Sequence, residues 1–336
     1  MLNNPALLLF RSFDEDQLHF IAGTSKVNFR LSSNELDCYR VYVNGSKTTQ
    51  QLNSLTWKAN DRIKIVKRKG FGAWYNVLQD PDWDPEAVPD IKGSQLPIKL
   101  AYLEPKHWLS PLPNFLPDEK YIGVLRTFVD CTALETVCDY LFSNMPHTNN
   151  LARVFQGCTS LKTVPEHIFD GIWENLISPS SVFVDSGLTE VPVLFYHNSY
   201  PSCINVGEMF ENAPIKNVPL SFFDKFTQLE RAQHLYSGTR YLESCPIALF
   251  SKNTNIKWIY RLFMGSKMLS KPGVVLDFSN CPNIEQIDNF WGDPADTSIP
   301  ISPCTVKVRR STPTAALFAD KKANSSYKDT FNIQYA

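Results

Sequence analysis

The chain of 336 residues lacks an excess of either charge: 33 Lys and Arg stand against 34 Asp and Glu, a formal net charge of -1. Without an overall field to draw it onto polyanions or anionic lipid, it is not expected to bind nucleic acid. It also lacks a long apolar run. The longest early one, Ala6 to Phe10, is far too short to cross a bilayer, so no membrane insertion is expected. That run has no basic stretch before it and no small-residue cleavage site after it, so it is not an ordinary signal peptide. No C-x-x-C pair occurs among the eight cysteines, which leaves a zinc site without support. The six histidines, His19, His107, His147, His167, His197 and His234, show no H-x-x-x-H spacing. Neither a G-K-[ST] loop nor a G-x-S-x-G elbow is present. Glycine is sparse, at 14 residues. These absences argue against catalysis, and no metal or cofactor is expected.

Proline and aromatic residues are abundant: 23 prolines and 12% aromatics. That much proline opposes long helices and favours short segments ended by turns. The organising signal is internal repetition. Phe128-Val129-Asp130-Cys131-Thr132-Ala133-Leu134 is echoed by Phe155-Gln156-Gly157-Cys158-Thr159-Ser160-Leu161. Leu134, Leu161, Leu188, Ile215 and Leu242 follow at intervals of 27, as do Val137, Val164, Val191, Val218 and Cys245. Behind them come Cys138, Pro165, Pro192, Pro219 and Pro246. An aromatic opens each copy, at Phe128, Phe155, Phe183, Phe210, Tyr236 and Phe263, and a second follows at Phe142, Phe169, Phe195, Phe223 and Phe250. A degraded sixth copy surrounds Leu269, and a seventh begins at Phe290 or Trp291. A repeat this short cannot bury its own apolar face, so neighbouring copies must cover it and the columns must become stacked ladders.

The flanks read differently. In residues 1–80, Val27 to Leu31, Tyr39 to Val43 and Arg62 to Val66 alternate with period two, and Asn44-Gly45 signals a hairpin. A small antiparallel β domain, sandwich-like and suited to docking, is expected there. Residues 81–121 form a proline-rich connector or cap, with Trp83, Tyr102 and Trp108 favouring a packed form. Residues 301–336 read as a closing cap, a strand over 305–310 and a helix within 315–327. The basic run Lys64, Lys67, Arg68 and Lys69 reads as a charged hairpin end, and Asp80 to Glu86 as a solvated linker.

Phe155 to Phe169 nearly fulfils the pattern F-x-G-C-x-x-L-x-x-[VI]-P-x-x-[LI]-F. In this the region 122–300 resembles the bacterial BspA-like leucine-rich repeats. The resemblance implies an α/β repeat fold, a leucine-rich-repeat solenoid of about six 27-residue repeats, behind the small antiparallel β domain. It also implies a recognition scaffold of the kind found in surface adhesins and bacteriophage proteins.

With leucine and valine inward, the two residues between them face solvent. One column is Glu135, Lys162, Thr189, Lys216 and Glu243, and its neighbour is Thr136, Thr163, Glu190, Asn217 and Ser244. Both vary while the ladders Phe128, Leu134, Phe155, Leu161, Phe183, Leu188, Phe210, Ile215, Tyr236 and Leu242 hold their type. Variable polar positions on a fixed frame suit recognition, and ordinary solvation of a strand face is an equal reading. The expected function is a non-catalytic recognition protein, a bacteriophage virion component of tail or capsid made in the host cytoplasm. It would meet other virion proteins through residues 1–80 and a host-surface protein or glycan through the repeats. The alternative is a bacterial surface adhesin or secreted interaction protein.

Overall fold

A computed structural model describes residues 15–22, 39–50, 58, 61–68, 98–104, 128–130, 132, 134–137, 149–170, 172–292, 298–323 and 329–336. Strand β1 (Glu15–Ala22) pairs antiparallel with β4 (Arg62–Arg68), and β4 pairs antiparallel with β2 (Tyr39–Val43). The chain turns from β2 into the two-residue β3 (Ser46–Lys47) through Asn44 and Gly45. Both turn residues have positive φ, 51° and 86°, as the primed hairpin turn requires. Asn44 then ties the turn to β4, donating to Asp61 Oδ1 at 2.8 Å and accepting from the Arg62 N–H at 2.9 Å. The Lys58 N–H donates to Asp61, which holds that carboxyl below its ordinary range. Val41, Ile63 and Ile65 are buried, while Lys64 lies over the Tyr42 ring, 4.1 Å from its centroid.

The N-terminal strands are not a separate antiparallel unit, which corrects that expectation. Strand β5 (Ile98–Glu104), inside the proline-rich stretch, pairs antiparallel with the far edge of β1 and parallel with β6 (Thr136–Val137). The sheet order is β3-β2-β4-β1-β5-β6, so it ends on the first repeat copy. The backbone explains this: an unpaired strand edge needs hydrogen-bond partners, and the first copy supplies them. The expected strand Val27 to Leu31, together with Trp83 and Trp108, lies outside the described residues.

From Phe128 onward, rings of successive copies lie one over the next. Phe128, Phe155, Phe183, Phe210, Tyr236 and Phe263 stack in sequence with centroids 5.5, 5.7, 6.0, 5.9 and 5.8 Å apart and planes within 10° of parallel. Trp291, rather than Phe290, continues the column, edge-on to Phe263 at 5.7 Å. Two residues before and two after most of these rings the chain takes positive φ, as at Arg153 (61°) and Gly157 (72°) around Phe155, or Glu208 (61°) and Asn212 (57°) around Phe210. These kinks aim alternate N–H groups at the next copy. The Arg153, Phe155 and Gly157 N–H groups donate to the Ser180, Val182 and Val184 carbonyls at 3.2, 2.9 and 2.8 Å. Phe169, Phe195, Phe223 and Phe250 fill the interior behind the rings.

The expected α/β leucine-rich-repeat solenoid is overturned by the secondary structure. Among the described residues only one helix exceeds a single turn, Pro313–Ala323, and it lies beyond the copies. Within them are α1 (Leu194–His197), single 3-10 turns at Phe222–Lys225 and Lys267–Ser270, and isolated bridges such as Asn150↔Ser178 and Asn217↔Ser244. Strand and helix therefore do not alternate. Pro165, Pro192, Pro219 and Pro246 account for much of this, because proline has no N–H with which to lengthen a ladder. What forms is a stack of turns.

Strands β7 (Val275–Asp277), β8 (Cys304–Val308) and β9 (Phe331–Tyr335) close the far end as a parallel sheet in that order. Helix α2 (Pro313–Ala323) starts with proline in its first turn and Thr312 Oγ1 accepting from the Ala315 N–H at 3.2 Å. It packs Phe318 against Phe278 and Phe331 at 5.8 and 5.6 Å. The strand and helix expected in this region are present with shifted bounds, and β7 and β9 are additional to them.

Candidate functional site

Each strand-face position is set by its buried neighbours. Leu134, Leu161, Leu188, Ile215 and Leu242 are at most 1% exposed. The valine column is buried at Val137, Val191 and Val218 and half-buried at Val164 and Cys245. Between these ladders, Glu135, Lys162, Lys216 and Glu243 are exposed and Thr189 is half-buried. In the neighbouring column Thr163, Glu190, Asn217 and Ser244 are exposed, and Thr136 is described through its backbone alone. The copies are joined along this face: Lys216 N–H donates to the Thr189 carbonyl at 3.1 Å, and Glu243 N–H to the Lys216 carbonyl at 2.6 Å. Ser244 Oγ donates to Asn217 Oδ1 at 2.8 Å, fixing two side chains of the face to one another.

Beside the polar columns runs a feature that sequence reasoning passed over. Val193, Leu220 and Ile247 stand directly after Pro192, Pro219 and Pro246, and they are 38%, 85% and 56% exposed. Large aliphatic side chains at one position of three successive copies form a stripe, which scattered surface residues do not. The signal was present in the residues following Pro192, Pro219 and Pro246, whereas Glu166 follows Pro165.

A second face lies five and three residues before each ring. Parallel bridges join Asn150 to Ser178, Asn205 to Arg231, Arg231 to Trp258, and Trp258 to Gln286. In three copies the residue on this line caps its own turn. Asn150 accepts from the Ala152 N–H at 2.9 Å, Ser178 from Ser180 at 3.4 Å, and Asn205 from Gly207 at 2.9 Å. In the next two copies the line changes to Arg231 and Trp258, with the guanidinium 4.3 Å from the indole centroid.

Three of the histidines pair with carboxylates: His167 with Asp170 and His197 with Glu166, each at 3.0 Å, and His234 with Glu211 at 3.3 Å. His197 is exposed and His167 is half-buried. Among the described residues, Cys203, Cys245, Cys281 and Cys304 are free thiols. Burial pushes the thiols of Cys203, Cys245 and Cys281 up to about 12. Cys158 fills the small position behind the ring column, its thiol donating to the Phe128 carbonyl at 3.0 Å.

Comparison with family models, with curated proteins and with solved structures gives no match to this chain. Among the described residues no His, Cys, Asp and Glu cluster is arranged to hold a metal ion, and no helix is long and apolar enough to cross a membrane. The arrangement that remains is a fixed backbone frame carrying polar side chains that change from copy to copy.

Proposed function

We propose that the protein is a non-catalytic recognition protein whose strand-face columns bind a surface partner, protein or glycan. The observation that carries this reading is the contrast between the leucine column, closed to solvent in every copy, and the exposed, chemically varied pair of residues beside each leucine. Lys162 and Lys216 alternate with uncharged and acidic neighbours, which suits a partner of mixed polarity better than a polyanion. The exposed stripe of Val193, Leu220 and Ile247 adds apolar area at the border of the same surface.

The biological setting we propose is a bacteriophage virion, tail- or capsid-associated, with the N-terminal residues meeting other virion proteins. Its support is the repeat motif's resemblance to segments found in such proteins. Mass spectrometry of purified virions tests the setting, and finding the protein only on bacterial surfaces would replace it with an adhesin. Whole-cell binding by the full chain tests the surface. The Lys162→Glu and Lys216→Glu double change should weaken binding while leaving the melting temperature unchanged. Undiminished binding by the double variant would remove these columns from the partner contact.

A further inference from the structure

The second face changes its chemistry along the stack. Three copies keep a turn-capping Asn or Ser on the bridged line, and the fold gains a hydrogen bond from each. Arg231 and Trp258 cannot act as such caps, since neither side chain has an oxygen acceptor. At these two rungs the face forgoes a local hydrogen bond and presents a guanidinium on an indole instead. Two residues further along, Gln233 and Tyr260 occupy the neighbouring line, where Ala152, Ser180 and Gly207 stand in earlier copies. The Tyr260 ring meets His234 nearly perpendicular, at 87° and 5.4 Å, and His234 is held by Glu211. Arg231, Gln233, Trp258 and Tyr260 are all half-buried, so each is anchored and still reaches the surface.

Two polar atoms in this cluster are buried without a hydrogen-bond partner: Gln233 Oε1 and Trp258 Nε1. A sealed acceptor and a sealed donor of this kind are costly for a fold to keep. The Gln233 carboxamide lies where a Cβ on Gly207 would stand, so glycine at that rung gives it space. On its flexible stem the carboxamide can swing outward and offer its oxygen to an incoming hydroxyl. Glu230 is paired with Lys257 at 3.2 Å, and acidic and basic residues are mixed along this stretch, so no patch of one charge draws a phosphate or sulfate group. A ligand that fits must be neutral, must have an apolar face for the rings, and must carry hydroxyls that both donate and accept. These are the properties of a pyranose.

We propose that Arg231, Gln233, Trp258 and Tyr260 form a subsite for a neutral carbohydrate. Tyr260 and Trp258 supply the stacking surface. Arg231 donates to ring hydroxyls, and Gln233 accepts from them. The subsite rests on the recognition reading above and puts the glycan contact on a different face from the strand columns.

Isothermal titration of the full chain with maltohexaose, cellohexaose and chitohexaose tests it, with heparin and an oligothymidylate as polyanion controls. The expected result is binding of at least one neutral oligosaccharide, insensitive to added sodium chloride. Tyr260→Ala and Gln233→Ala should each weaken it about tenfold or more at unchanged melting temperature. Trp258→Phe, which keeps a ring on the rung but reduces the stacking face, serves if an alanine variant fails to fold, and should also weaken binding. No heat with any of the three sugars overturns the subsite, as does binding confined to the polyanions and lost in salt. The Lys162→Glu and Lys216→Glu double variant separates the two surfaces. Sugar binding lost there but kept in Tyr260→Ala overturns the subsite and favours the strand columns, and the opposite pattern removes the strand columns alone.

Discussion

Gly157 offers a direct test of how the copies interlock. Its φ of 72° lies in the left-handed region, and a Cβ there would stand inside the Asp130 carboxylate of the copy before it. Gly157→Ala should therefore incur two separable costs. Holding an L-residue in that conformation costs about 1–2 kcal/mol. Forcing the Asp130 side chain aside adds about 1–3 kcal/mol, the range for overpacking a tight contact. Gly265 occupies the equivalent position with a φ of 70°, yet the nearest atom to its Cβ would be the Gly238 Cα at 3.4 Å. Gly265→Ala thus measures the conformational cost almost alone. In urea unfolding followed by tryptophan fluorescence, Gly157→Ala should lower stability by about 2–5 kcal/mol, against about 1–2 kcal/mol for Gly265→Ala. An Asp130→Ala background should remove most of the difference between the two increments, the backbone Cα of residue 130 remaining 3.1 Å from the added methyl, with the cost of Asp130→Ala itself cancelling in the cycle. Equal losses at the two glycines, or an increment indifferent to Asp130, would refute the stacking of residue 130 on residue 157.

Phe183 is closed to solvent between Phe155 and Phe210, so Phe183→Ala should cost about 3–5 kcal/mol in the same assay, and Phe183→Leu clearly less. The Lys162→Glu and Lys216→Glu pair, on the exposed face, should stay within about 0.5 kcal/mol per site. Tyr200→Phe removes a buried hydroxyl that donates to the Leu194 carbonyl at 3.0 Å, and a loss of about 1 kcal/mol is expected in urea. The buried thiols make stability fall in alkali. Their folded pKa, about 12 for Cys203 and Cys281, lies above the unfolded value near 9, so the folded state keeps protons that the unfolded chain gives up. The contribution is fully present below about pH 9 and is lost as pH rises toward 12; Cys203→Ala should flatten the fall in urea midpoint between pH 8 and about 10.5.

Much of the interior could be read from the residues alone. Leucine, valine and aromatic columns repeat in type because burial restricts what fits, and that restriction shows as periodicity. The hairpin at Asn44-Gly45 was legible for a similar reason, since few residues accept positive φ. The strand-and-helix form was misread. The repeat length and motif suggested it, but proline at four of the five positions behind the valine column and the brief arm after it leave room only for turns and bridges. The second face left no trace in a search by residue type. Asn150, Ser178, Asn205, Arg231, Trp258 and Gln286 share a backbone position and nothing else. One clue was available: Asp130, Gly157, Asp185, Asn212, Gly238 and Gly265, two residues after each ring, are all types that tolerate positive φ. Strand β5 was hidden because its partners, β1 and β6, lie far away in the chain.

The pairing of β5 with β6 bears on how the protein can be cut. Removing everything before the first copy would strip Thr136–Val137 of its neighbour and leave a raw margin of amide and carbonyl groups. Such a margin seeks another like itself, so the truncated chain should assemble end to end or precipitate. Strand β5 thus closes an edge that would otherwise be open to the next molecule.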